Sequence, residues 1–219
     1  MERRIKDEFY FFDEINRVLD NYSKTNNLLE LKISFRDIDF QFKNSIQLIE
    51  SGLELYFFNC SLSGERIDFT INELSGKSNS IEFKDCKISS DFFIKDSKLQ
   101  YLVFSNVEIT SSHFYVSSNE IYSFSIVGSP ENLNKINTLV LNQNERIDYV
   151  DFRVNQFKML YINNNIFHKG FTLNANNIER LQIEKSTFKR DFEFWKNTLG
   201  DFSLVKKSSI GEVKAKQSN

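Results

Sequence analysis

Residues with reactive side chains are few and scattered. Histidine occurs at positions 113 and 168, cysteine at 60 and 86, and acids fall close together as Asp91 with Asp96 and as Asp148 with Asp151. Two carboxylates aligned on one face could act as general acid and base in polysaccharide cleavage. A histidine relay needs an acid and a nucleophile within reach, and no spacing around His113 or His168 supplies one. The chain also lacks a Gly-rich phosphate loop, a Cys/His metal set and a nucleophile elbow. The expectation is a protein that is not an enzyme and carries no cofactor or metal. Its acids then read as the alternating charges that keep a strand face soluble.

What would position any site is a repeat. From Leu55 to Ile210 the pattern apolar-x-apolar-x-x-small-x-apolar recurs every ten or eleven residues, as in Leu55/Phe57/Leu62, Ile81/Phe83/Ile88, Leu102/Phe104/Ile109 and Val150/Phe152/Phe157. It makes fourteen units, and in the second half two units close a period of 21. Such a period marks an array whose units bury their apolar sides only by stacking on neighbours. Apolar residues two apart share one face of a strand, whereas a helix would need three or four. The third member returns inward only after the chain turns a corner. Each unit is thus a strand, a bend and a second short inward segment, and two units make one coil. Seven coils stacked at the strand spacing give a rod of about 33 Å. The sequence predicts an all-β fold, a parallel β-solenoid, with its hydrogen bonds along the rod.

Three residues after the second apolar position runs a second column: Cys60, Asn72, Cys86, Ser97, Val107, Asn119, Asn144, Asn155, Asn165, Asn176, Ser186 and Asn197. Asn tolerates tight turns, and stacked Asn side chains can form ladders. Cys60 and Cys86 sit in this column one coil apart and read as buried thiols of a reducing compartment. Of the 23 phenylalanines, 15 occupy inward positions, which assigns most of the aromatic content to the core.

Runs such as FKDCKISSDFFIKDSKL, FRVNQFKMLYINNNIF and LNANNIERLQIEKSTF resemble the pentapeptide-repeat proteins. The large inward position of that family corresponds to Phe83, Ile94, Phe104, Phe152 and Ile162. The resemblance implies a right-handed β-helix of square cross-section. It departs from the family pattern at Ile81, Phe92 and Phe114, which are large where the family has a small residue, and in the extra residue of every second unit; these changes favour a wider or flatter coil. Some members of the family mimic DNA and inhibit topoisomerases through a strongly acidic face. Here 28 Lys and Arg against 30 Asp and Glu leave a net charge of −2. That is neither the field of a DNA mimic nor the basic footprint of a nucleic-acid binder.

No apolar run approaches 18 residues and no signal-peptide pattern opens the chain, so a soluble, cytoplasmic protein is expected, with no membrane partner. Residues 1–30 are assigned to an N-terminal amphipathic capping helix, with Ile5, Phe9, Phe12, Ile15 and Leu19 at helical spacing over about residues 3–21. Residues 29–54 look irregular, with Ile33/Phe35 and Phe40/Phe42 as degenerate early strands; the solenoid is assigned to 31–212 and a disordered tail to 213–219. The insertion around Pro130 should hold a short helical turn capped by Ser129, and residues 75–80 a flexible loop. The expected function is non-catalytic protein–protein interaction. Its surface is the outward row Phe93, Tyr115, Val140 and Tyr161, the Pro130 loop, or the last coil with Phe202 and Leu204, through which a homodimer would form. A carbohydrate-active or carbohydrate-binding β-helix and a DNA-mimic topoisomerase inhibitor are the alternatives.

Overall fold

The structure is a computed structural model that describes residues 3–75, 77, 79–204 and 208–216; side-chain surroundings are described up to residue 200, apart from Glu30, and at Ser208 and Ser209. The apolar-x-apolar segments are strands, and consecutive coils pair them in parallel into one sheet of thirteen strands and one of nine. The chain winds between the two sheets for about eight turns of about 22 residues. In the larger sheet Leu139 lies beside Leu160 and Leu160 beside Leu181. In the smaller sheet Phe57 lies beside Phe83 and Phe83 beside Phe104. Every repeat position therefore forms a column along the axis.

The triplet spacing has a direct structural meaning. In Asn155–Asn163 the inward side chains are Asn155, Phe157, Leu160 and Ile162, so the inward face skips a residue between Phe157 and Leu160, and the strand bends there. In the early coils the same place is a break, with Ser61–Ser63 and Arg66–Asn72 as separate strands of the larger sheet. Inside, phenylalanine rings stack coil on coil: Phe57–Phe83 at 4.6 Å and Phe83–Phe104 at 5.1 Å, both nearly parallel. Phe83, Phe104 and Phe152 are fully buried, and Phe194 near the C-terminal end is partly buried. Such stacking adds about 0.5–1.5 kcal/mol per pair to the burial itself.

The turns between the sheets are made by single residues in the left-handed region, among them Asn59, Asp85, Asn106, Asn164, Val154 and Ala175, with φ between 51° and 56°. Asn and Asp enter that region readily, whereas a β-branched residue such as Val154 is strained there. The residue that follows each turn belongs to the small column, so the column does not itself form the turn. Its amides bind the turns together. Oδ1 of Asn176 accepts the backbone N–H of Asn155 at 3.0 Å, while Nδ2 of Asn176 donates to the Phe152 carbonyl at 2.9 Å. Asn119, Asn144 and Asn165 repeat the arrangement at the other corner. Asn72 is an exception to the column: it is exposed, and the next column member, Ser97, instead accepts the amide of the buried Ile71 at 2.9 Å.

The N-terminus covers the first coil, with changes from the expected boundaries. Arg4–Lys6 is a strand paired with Ile38–Gln41, and the helix runs from Glu8 to Thr25. Asp7 caps it by accepting from the Tyr10 amide, and Asn26 ends it in the left-handed region. Phe11 and Ile15 form the buried face; Phe11 sits among Phe35, Phe40, Phe42 and Phe69 at 5.4–6.2 Å. Phe9, expected on that face, is 77% exposed. The phenylalanine cluster of the first coil receives Phe11, which rotates Phe9 outward. Residues 32–51 are a complete first coil and not a degenerate one.

At the other end, Ser209–Lys216 is a strand, with Val213 beside Phe192 and Ala215 beside Phe194. The tail expected to be disordered from 213 therefore continues the array to Lys216, because Val213 and Ala215 resume the apolar alternation; residues 217–219 lie outside those described. The Pro130 insertion is a tight turn with no helix, closed by Ser129 and Asn132 exchanging backbone hydrogen bonds at 3.0 Å. Ser129 does cap it, accepting the Asn132 amide on Oγ. Gly128 opens the turn where any Cβ would meet the Val154 carbonyl at 2.3 Å. Among the described residues no helix is long and apolar enough to cross a membrane.

Replacing Asn155 by alanine leaves the Ile126 carbonyl and the Asn134 side-chain Nδ2 without their buried partner. Urea denaturation should show a loss of about 1–3 kcal/mol, and an unchanged midpoint would show that the ladder does not hold the coils.

Candidate functional site

The row Phe93, Tyr115, Val140 and Tyr161 is aligned by the strand register of the larger sheet, each residue beside the next. Asp68 precedes the row and Gln182 follows it. The four side chains are half-buried. Phe93 and Tyr115 stack face to face at 5.3 Å with their planes 5° apart, the Arg66 guanidinium lies 4.1 Å over Phe93, and the His113 ring stacks on Tyr115 at 6.0 Å. Charges rim the N-terminal end of the row: Asp68 pairs with Arg66 at 3.0 Å and with Lys95 at 3.2 Å. This is an apolar strip with charges at its N-terminal end.

The other two predicted surfaces lie elsewhere. Pro130 is exposed in its turn, which borders a shallow cleft with Asp85, Lys87, Asn106 and Glu108. It is not part of the flank. Phe202 and Leu204 fall in register beside Leu181 and Ile183, but their side chains lie outside those described.

The reactive residues do not converge. His113 Nδ1 meets both Asp91 Oδ2 at 2.9 Å and Ser112 Oγ at 3.0 Å. An acid and a hydroxyl on the same ring nitrogen cannot form a relay, which needs one on each. Asp148 is fully buried and bound by Arg146 at 2.7 and 3.0 Å and by Lys169 at 3.0 Å, whereas Asp151 pairs with Arg153. These two acids therefore serve different ion pairs. Cys60 and Cys86 are buried free thiols; the hydrogen bond to Cys60 and burial together push the Cys86 thiol upward.

One surface was not read from the sequence. At the bend of the smaller sheet Tyr101, Tyr122 and Tyr149 form a ladder of edge-to-face rings at 6.5 and 5.7 Å, each 43–44% exposed. The Lys169 ammonium lies 4.8 Å over Tyr122 and 5.1 Å over Tyr149. The ladder borders a cleft of about 280 Å³ that includes Asn79, Lys98, Glu120, Arg146 and Asp148. The signal was present as three tyrosines one coil apart, but they lie at the bend, outside the apolar triplets.

Hydrogen bonds from Arg146, with Lys169 adding to them against the opposing effect of burial, hold the Asp148 carboxyl down at about 2. A folded value below the unfolded one, about 3.9, means stabilisation that is full above that value and lost as pH falls towards 2. Asp148→Asn should therefore lower stability near neutral pH by about 2 kcal/mol, with the gap to the parent protein narrowing in urea titrations between about pH 4 and pH 2. Parallel pH profiles for the two proteins would contradict the assignment. Comparison with protein-family models, with curated proteins and with solved structures found no match to this chain.

Proposed function

We propose that this protein is a non-catalytic protein-interaction module of the cytoplasm that presents the Phe93/Tyr115/Val140/Tyr161 flank to a protein partner. The observation that carries the reading is the parallel Phe93–Tyr115 stack continued by Val140 and Tyr161 over four coils. Parallel strands keep the strip straight, so a partner meets a preformed surface and little ordering opposes binding. Aromatic side chains beside an arginine are the residues that dominate such interfaces. The resemblance to pentapeptide-repeat proteins, themselves solenoids, agrees with a scaffold role, and the charge balance argues against the DNA-mimic reading.

The same module self-associates through its C-terminal coil. At the N-terminal end the helix Glu8–Thr25 packs over the first coil, which blocks head-to-tail stacking. Among the described residues the last strands, Thr198–Leu204 and Ser209–Lys216, each pair with a strand on one side only. Two copies meeting tail to tail about a two-fold axis would cover both edges and close the assembly.

Two measurements test these readings. Affinity capture with the parent protein and with Tyr115→Asp/Tyr161→Asp should recover a partner with the first and lose it with the second, at equal thermal stability; equal recovery rejects the flank. Sedimentation equilibrium should show a dimer at micromolar concentration, and a monomer removes the tail-to-tail contact.

A further inference from the structure

We infer that the cleft beside the tyrosine ladder is a binding site for a neutral oligosaccharide, separate from the protein-binding flank. Its charges cancel. Lys98 pairs with Glu120 at 3.0 Å and Arg146 with Asp148 at 2.7 Å, while Lys77 reaches Glu54 at 3.2 Å. The lining carries Lys77, Lys98 and Arg146 against Glu73, Glu120 and Asp148, so a phosphate or a polyamine would find no excess of opposite charge. What the exposed Lys98–Glu120 pair and the Arg146 guanidinium do present is donors and an acceptor side by side, and a sugar hydroxyl both donates and accepts.

A second observation points to a ligand. Asn79 is 2% exposed and lines the cleft; its Nδ2 donates to the Asn72 and Lys98 carbonyls at 2.7 and 2.9 Å, and its Oδ1 has no hydrogen-bond partner among the described residues. A buried acceptor left unmade costs about 1–3 kcal/mol, so this oxygen favours a donor such as a water or a ligand hydroxyl. Beside Asn79, Lys77 is held by its amide on the Leu74 carbonyl and its ammonium on the Leu28 carbonyl. The described part of the segment expected to be a flexible loop is thus an ordered wall of the cleft.

The tyrosines supply the remaining element. Tyr122 lines the cleft, and Tyr101 and Tyr149 extend its aromatic border along the axis. An exposed ring gives an apolar body and a polar tip, which suits the alternation of C–H and hydroxyl surface on a pyranose. The ladder spans successive coils, so a linear chain of sugar units lying along the solenoid axis fits it better than a single ring does.

Isothermal titration of the full chain with neutral hexasaccharides of the glucan, xylan and chitin types, and with a hexagalacturonate, tests the proposal. At least one neutral hexasaccharide should bind, and Tyr122→Ala should weaken it about tenfold, while Tyr115→Asp leaves the affinity unchanged. Tyr101→Ala, at the edge of the ladder away from Lys169, is the second variant and should weaken the same ligand should Tyr122→Ala fail to fold. The proposal is overturned by the absence of binding to any neutral hexasaccharide at millimolar concentration, by binding of the hexagalacturonate alone, or by undiminished affinity in the folded tyrosine variants. None of these outcomes depends on the flank, whose partner is captured separately.

Discussion

The structure depends on hydrogen bonds that run along the axis through its corners. A coil this small must reverse direction abruptly, and it does so by placing one residue at positive φ. That leaves the next backbone amide pointing along the rod without a strand partner. The buried Asn or Ser of the following coil accepts that amide, and an Asn side chain also donates to the carbonyl of the preceding coil. Each Asn corner therefore satisfies polar groups of three coils at once, where an unpaired buried amide would be costly. The apolar columns can be continuous because the corners between them are.

This division of labour explains why the fold was legible in the sequence. A two-residue alternation followed by a five-residue step can only be a strand that bends, and Phe57, Phe83 and Phe104 stack where the repeat places them. The small column announced the ladder. It did not announce the left-handed residue just before it, because that position is held by residues as different as Asn164, Ala175 and Lys185. Their common feature is a conformation imposed by neighbours, which no side-chain pattern records. The ends were harder to read for a related reason. Phe11 is chosen over Phe9 by a pocket of four rings that the first two coils build together, and Val213 and Ala215 resume an alternation that the triplet no longer marks.

Surface features were legible only where they obeyed the strand period. Phe93, Tyr115, Val140 and Tyr161 occupy equivalent places between inward residues, so counting along the chain aligns them. The tyrosine ladder sits at the bend, where the period slips by one, and Tyr101 lies in register with Ser123, beside Tyr122. Asn79 is placed by an insertion that the repeat does not describe. Both lateral surfaces nevertheless share one origin: stacking identical positions turns a single side-chain preference into a row.

The polarity of the corner amides bears on how the molecule is made. Each Asn offers its oxygen to the coil before it, so every coil is completed by the one synthesised next, and register partners are separated by only one turn of the chain. A ribosome releasing the N-terminus first delivers the helix and then the two coils whose rings seat Phe11, and each later turn supplies the acceptors that the turn before it still lacks. Growth proceeds like rope onto a capstan, with only the newest loop unsecured.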